Sequence, residues 1–183
     1  GDKKNFWAID PIDGTANFVN GSPYFCVSLG KVENGDMTSG VIYAPDSKDL
    51  YYSVDDHGSF KNQKKLIIPN KEIQDSLIAV SLPGQSNHHR SKVIFEILNE
   101  INYTSSGILR LGSAALHLAH HAEGVFGACM GFDAKIWDIA AGIAICKNAG
   151  STVSLKQTSD PFSYDYICGS SESVRMLENI INQ

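Results

Sequence analysis

The feature that most constrains the fold is the stretch FWAIDPIDGTANF, residues 6 to 18, in which an apolar run ends on two acids. The run has the composition of a buried strand, and Asp10 and Asp13 follow it with Pro11 between them. Two carboxylates at a strand end repel each other unless a cation neutralises them. We therefore expect the fold to leave this strand end open to a divalent metal.

The residues that follow extend this prediction to an anion. Asp10 and Asp13 supply hard oxygen ligands, which suit Mg²⁺ or Mn²⁺. Gly14 and Thr15 then open a short helix, whose free backbone N–H groups favour a phosphate. Metals beside an anion pocket are typical of a centre that processes phosphate. The simpler interpretation is a turn, because Asp-Pro and Asp-Gly pairs are turn formers and Asp13 could cap the helix.

A third carboxylate stands far along the chain, in KIWDIAAG. Asp138 opens a predicted helix that continues with small residues, so we expect it to cap the helix with one oxygen and to bind metal with the other. Trp7 and Trp137 lie beside the acids in sequence, and we predict that both are core residues that exclude water from the site.

The order of predicted elements indicates a layered α/β (α+β) fold in a single domain, residues 1–183. Residues of about 5–82 are predicted to form mainly antiparallel strands joined in hairpins, with turn signals at Asn34-Gly35-Asp36 and Asp56-His57-Gly58. Helices and strands alternate over about 83–183. Strands are predicted at 76–82, 125–131 and 164–170, and helices at 86–101, 112–124, 137–150 and 170–183.

Composition excludes several classes of protein. The net charge of -5 argues against a nucleic-acid binder, and no apolar run is long enough to span a membrane. The four cysteines are scattered without CxxC spacing, which favours small buried side chains in a reducing, cytoplasmic compartment. His117 and His121 are four apart on a predicted helix, where packing is favoured over a soft-metal site.

Two segments together resemble the inositol monophosphatase family of metal-dependent, lithium-sensitive phosphatases: WAIDPIDGTANFVNGSPYFCVSLG and WDIAAG. RLGSAAL at 110 to 116 and GVIYAP at 40 to 45 fit the same family. The resemblance covers the chain from Asn5 to the closing helix. It implies an inositol monophosphatase/fructose bisphosphatase-like alternating αβ sandwich, usually assembled as a homodimer.

The resemblance also implies a metal centre. Asp10 would bridge the metals, the Ile12 carbonyl would join the shell of the first metal, and Asp13 and Asp138 would hold the second. The implied reaction is in-line attack of a metal-activated water on a small-molecule phosphate monoester, with Mg²⁺, or Mn²⁺ in its place. No covalent phosphoenzyme would form.

Substrate contacts follow from the same resemblance. The Gly14 and Thr15 amides would hold the phosphate, and the Thr15 hydroxyl would orient the water. Ala114 matches a position that lines the substrate pocket. Members that prefer inositol phosphate often carry a glutamate seven residues before the WD aspartate, where this chain has Gly131. Asp133, two positions later, is the residue we expect to replace it.

The family also carries a Gly-Glu-Glu motif and a helical hairpin before DPIDGT, and this chain begins too late to contain either. We therefore expect it to be the later part of a larger domain, without the N-terminal helices. The shell of the first metal would then be incomplete, and these residues alone would show little activity.

Several alternatives remain open at this point. A haloacid-dehalogenase-type phosphatase places its two acids two apart, whereas Asp10 and Asp13 are three apart. Within the family, the substrate could be histidinol phosphate, a nucleotide 3'-phosphate, fructose bisphosphate or NADP. The run Ala16-Asn17-Phe18 favours the monophosphatase branch, because nucleotide-specific members often show Lys-Glu-Phe there. A metal-binding scaffold or regulatory protein without turnover is the alternative from another class.

Overall fold

The computed structural model describes residues 4–54, 57–83 and 88–182. Its strands are β1 (Phe6–Asp13), β2 (Cys26–Glu33), β3 (Asp36–Ala44), β4 (Asp49–Val54), β5 (Gly58–Lys61), β6 (Lys64–Lys65), β7 (Leu77–Ser81), β8 (Gly107–Leu109), β9 (Ala128–Lys135), β10 (Thr152–Gln157) and β11 (Ser163–Gly169). Its α-helices are α1 (Thr15–Val19), α2 (His88–Thr104), α3 (Ala114–Ala122), α4 (Ile136–Asn148) and α5 (Ser171–Ile181).

The strands form two sheets. The first sheet is an antiparallel meander in the order β1-β2-β3-β4-β5-β6, and the second has the order β10-β11-β9-β7-β8. Strand β7 pairs in parallel with β8 and β9, so it belongs to the second sheet. The predicted boundary near residue 82 is therefore wrong by one strand, because the partners of β7 come later in the chain than β7 itself.

The elements stack in four layers, which confirms the layered α/β fold. Helices α3 and α4 lie between the two sheets, and α2 and α5 cover the far face of the second sheet. The larger apolar core fills the space around α3 and α4, and a smaller core lies between the second sheet and the outer helices.

Helix α4 packs unusually close to the first sheet. Gly30 and Gly40 face each other across β2 and β3, and a Cβ on Gly40 would lie 2.4 Å from the carbonyl oxygen of Ala141. A Cβ on Gly30 would lie 2.6 Å from the backbone nitrogen of Ala141. The small residues of α4 therefore meet two glycines of the sheet, and this contact fixes the height of the helix above the strands.

Local signals were correct where the turn or cap is made by neighbouring residues. Asn34 and Gly35 both have positive φ, 55° and 86°, as the predicted tight hairpin requires. Ser113 and Ser170 cap α3 and α5. The predicted strand 125–131 instead begins at Ala128 and continues to Lys135, while β8 and β10 were not predicted. Asp56 and the expected cap of α2 at Ser86 lie outside the described residues.

Both tryptophans contradict the prediction that they are core residues. Trp7 is 58% exposed and Trp137 is 39% exposed. Trp7 lies on the face of the first sheet that points away from α4, because its neighbour Ala8 takes the buried face. Other exposed apolar side chains share that outer face: Ile9, Val27, Val41, Tyr43 and Leu50. No helix among the described residues has the length and apolar character needed to cross a membrane.

Candidate metal centre

A β-bulge brings the first two acids to one side of the sheet. Side chains three apart on a regular strand point to opposite faces. On β1, however, Asp10 pairs with Ser28 and Asp13 with Cys26, so β1 contains one residue more than β2 over this interval. Both partners on β2 are buried, and both aspartates therefore face the helix layer.

The third acid joins them from α4. Single carboxylate oxygens of Asp10, Asp13 and Asp138 all lie within 4.8 Å of one another. Asp138 is not the N-cap of α4, as the sequence had suggested, because Lys135 holds that position and Asp138 lies in the first helical turn. From there its carboxyl group accepts a hydrogen bond from the backbone N–H of Lys135. The side chain thus caps the helix from inside it.

Asp13 is fixed by the N-terminus of α3. Its Oδ2 accepts hydrogen bonds from the Ser113 hydroxyl at 2.6 Å and from the Ala115 backbone N–H at 2.8 Å. The Ser113 oxygen in turn accepts from the Leu116 N–H and so caps α3. With Oδ2 occupied in this way, Oδ1 of Asp13 is the oxygen left for a ligand.

The crowding of acids disfavours their ionised forms. Burial raises the pKa of Asp13 from 3.8 to about 6, although the bonds from Ser113 and Ala115 lower it, and the charge of Asp10 raises it further. Burial also raises the pKa of Asp138, and the nearby Asp13 and Asp10 add to that effect. Among the described residues no Lys or Arg forms an ion pair with any of the three. A cation would relieve this repulsion.

The predicted phosphate-binding residues, Gly14 and Thr15, come directly after Asp13 in the sequence. Gly14 has φ +90° and stands before α1, whose first residue is Thr15. A Cβ on Gly14 would lie 2.9 Å from the Tyr24 carbonyl oxygen, so the turn needs glycine for its space and its φ. The Thr15 hydroxyl donates to the Ile12 carbonyl oxygen at 2.9 Å. A carbonyl oxygen has two lone pairs, so this bond leaves one free for another partner.

A cavity of about 330 Å³ opens beside the acids. Its wall includes two of them, Asp13 and Asp138, together with the predicted substrate residues Ala114 and Asp133. Asp133 adopts a left-handed φ of 54°, and its Oδ1 accepts a hydrogen bond from the Thr158 hydroxyl. The structure thus places four residues predicted for the site around one cavity.

Sequence reasoning missed the residues that hold the site together. Ser113 and Ala115 lie about a hundred positions from Asp13, so no local pattern links them. The cavity wall also contains Arg110, which begins the RLGSAAL run, and Ser81, which lies in no motif. The proline of the DPID segment was the available signal for the bulge, because a proline cannot donate to a strand ladder.

His117, His121 and the four cysteines are buried and behave as packing residues. Both ring nitrogens of His117 and His121 have hydrogen-bond partners within the protein, which agrees with the packing interpretation. The side chains of His88 and His89 lie outside the described residues. All four cysteines are free and buried, as predicted: Cys26, Cys129, Cys146 and Cys168.

Known proteins are similar to this chain over most of its length. The family model described as "Inositol monophosphatase family" matches residues 1–182. An inositol-1-monophosphatase of Mesorhizobium japonicum is 36% identical over 84% of this chain and 58% of its own length. A fructose-1,6-bisphosphatase/inositol-1-monophosphatase of Aquifex aeolicus is 34% identical over 89% of this chain and 61% of its own length. The chain therefore spans about three fifths of these two relatives.

A solved structure gives the same result for the fold. The extragenic suppressor protein suhB of Bartonella henselae superposes with a TM-score of 0.87 and 31% sequence identity. That match covers 100% of this chain and 72% of the suhB chain.

Proposed function

The chain belongs to the inositol monophosphatase family, and from this premise we propose that it hydrolyses small phosphate monoesters with the help of Mg²⁺. The observation that carries the proposal is the convergence of Asp10, Asp13 and Asp138 beside an open cavity. The names of the relatives include both a monophosphatase and a bisphosphatase, so they do not fix one substrate.

The residues fit hard divalent cations. Oxygens of three carboxylates lie within 4.8 Å of one another, and burial raises the pKa values of Asp13 and Asp138, with the charges of the neighbouring acids adding to the effect. Asp10, Asp13, Asp138 and the Ile12 carbonyl would hold Mg²⁺, or Mn²⁺ in its place. When bound, the metal supplies Lewis acidity and a more acidic water.

The chain's own groups position the substrate. The turn at Gly14 starts α1 beside the metal ligands, so the N–H groups of Gly14 and Thr15 can hold the phosphate. The Thr15 hydroxyl orients the attacking water while it remains bonded to Ile12. Ala114 and Asp133 contact the alcohol part of the ester from the cavity wall.

The same proposal covers the setting of the reaction. Four free, buried cysteines support a reducing compartment, such as the cytoplasm. Inhibition by Li⁺ and a homodimer, both implied by family membership, remain predictions.

The test is phosphate release from a panel of monoesters, with and without Mg²⁺ and Li⁺, by this chain and by the longest natural form of the protein that contains it. The panel includes inositol 1-phosphate, glycerol phosphate, histidinol phosphate, a nucleotide 3'-phosphate, fructose bisphosphate and NADP. In whichever form releases phosphate, we expect the release to depend on Mg²⁺ and to fall by about 100-fold or more in Asp13→Asn and in Asp138→Asn.

Asp46→Asn is the matched control, because Asp46 is an exposed acid in a turn. It removes one negative charge and should leave the rate unchanged. If both forms bind metal and neither releases phosphate from any ester, the chain is a metal-binding scaffold or regulatory protein and the proposal is wrong.

A further inference from the structure

One wall of the cavity carries a hydrogen-bond network outside the metal centre. The backbone N–H of Leu111 donates to Nε2 of His117 at 3.1 Å, so this nitrogen is an acceptor and carries no proton. Burial, with help from the charges of His120 and Arg110, lowers the pKa of His117 to about 4, and the ring is neutral at physiological pH. The ring proton must therefore be on Nδ1.

This tautomer decides what Ser81 can do. Nδ1 of His117 lies 3.0 Å from the Ser81 Oγ and donates to it, because it holds the proton. The Tyr166 hydroxyl also donates to the Ser81 Oγ, at 3.2 Å. Both lone pairs of this oxygen are then used, and the Ser81 O–H is left as a donor. Within the described part of the chain, no acceptor bonds to that O–H, and Ser81 lines the cavity.

Arg110 adds a positive charge to the same wall. It is the residue before Leu111, and its charge acts on His117, so it lies close to the Ser81 network. It lines the cavity, and none of the carboxylates described here forms an ion pair with it. Lys135, the other cation of the wall, is already bonded to Asp160.

Position 131 on β9 has no room for an acidic side chain. A Cβ on Gly131 would lie 2.3 Å from the ring of Tyr166, which is fully buried. Tyr166 thus occupies the space where a side chain at position 131 would begin, and its hydroxyl bonds to Ser81 instead. Among the described acids that line the cavity, Asp133 alone lies outside the metal cluster.

We infer that Ser81 and Arg110, which we call the donor wall, bind a second anionic group of the substrate. This inference rests on the proposed phosphatase function and specifies its substrate class: a phosphate monoester that also carries another phosphate or a carboxylate. Two donors without a protein acceptor match an anion better than they match sugar hydroxyls, which need acceptors as well as donors. His117 and Tyr166 are positioning residues, because they orient the Ser81 hydroxyl without touching the ligand.

The test compares pairs of synthetic esters that differ only in the second anion. Diol bisphosphates with three to six carbons between the phosphates have two equivalent ester groups, and each has a matching diol monophosphate. For at least one length, we expect KM to be about tenfold lower for the bisphosphate. Ser81→Ala and Arg110→Gln should each raise that KM about tenfold with little change in kcat, while the monophosphates are unaffected.

Three controls separate this effect from loss of structure. Arg175→Gln removes an exposed arginine on α5 and should change neither KM. Ser81→Thr and Arg110→Lys keep the hydroxyl and the charge, and both should retain most of the preference. Thermal unfolding of each variant reports whether the fold is intact.

Equal KM values for both esters at every length, or equal effects of the variants on both members of a pair, would overturn the donor wall. If no ester is hydrolysed, the proposed function is wrong. Calorimetry, which measures binding of the bisphosphates in Mg²⁺, then still tests whether the donor wall binds an anion. Binding that both variants weaken about tenfold would support the donor wall, and unchanged or absent binding would reject it.

Discussion

The substitution Asp13→Asn should make the metal-free protein more stable at neutral pH. In the folded state the pKa of Asp13 is raised from 3.8 to about 6, so folding favours the protonated acid. The stability that is present below about pH 4 is therefore lost as the pH rises through about 6. Since one pKa unit corresponds to about 1.4 kcal/mol, ionised Asp13 lowers the free energy of unfolding by about 3 kcal/mol.

The assay must isolate this acid from other groups. The lowered pKa of His117 acts in the opposite direction over the same range, because a buried neutral histidine gains relative stability as the pH rises. The difference in unfolding free energy between wild type and Asp13→Asn cancels this contribution. Asparagine can keep both hydrogen bonds of Oδ2, since its amide oxygen accepts from Ser113 and Ala115 in the same way.

We expect that difference, measured by urea unfolding in EDTA, to change by about 3 kcal/mol between pH 3 and pH 7. In thermal unfolding this corresponds to a relative change in Tm of about 6 to 12 °C. Mg²⁺ should stabilise wild type at pH 7 and leave Asp13→Asn almost unchanged. A difference that stays constant with pH would refute the reasoning, because the pKa of Asp13 would then be the same in the folded and the unfolded state.

Two further substitutions test the supports of the site. Gly40→Ala should lower the free energy of unfolding by about 1 to 3 kcal/mol and weaken Mg²⁺ binding, because the added Cβ pushes against Ala141 and displaces α4 together with Asp138. Ser39→Ala on the same strand is the control, and equal stability of the two variants would contradict the close contact. Ser113→Ala should lower the free energy of unfolding by about 1 kcal/mol, because α3 loses its cap, and should raise the pKa of Asp13, which loses its shortest hydrogen bond. Titration of the Asp13 carboxyl by NMR checks this, and an unchanged pKa would count against the anchoring role.

The sequence was informative where chemistry is local. The apolar run before Asp10 and the turn at Asn34 and Gly35 each carry their signal in adjacent residues, and both appear in the structure. The small residues after Asp138 marked a tightly packed helix, although nothing showed that Gly30 and Gly40 would meet it. The gathering of the three acids was expected from the family resemblance, because Asp10 and Asp13 lie in one family motif and Asp138 lies in another.

The remaining features depend on contacts between distant segments. The bulge that turns Asp10 and Asp13 to one face depends on the register with β2, which the β1 sequence does not contain. The assignment of β7 to the second sheet depends on parallel partners that come later in the chain. Trp7 was misjudged for a related reason, since an apolar side chain on a strand is buried only if something packs on its face.

The most direct test of the account is to locate Mn²⁺ by anomalous diffraction in crystals grown with this ion. We predict an anomalous peak within bonding distance of the carboxylates of Asp10, Asp13 and Asp138, and its loss in crystals of Asp13→Asn. Manganese bound only at other positions, or a peak that persists unchanged in the variant, would contradict the claim that these three acids form the metal centre.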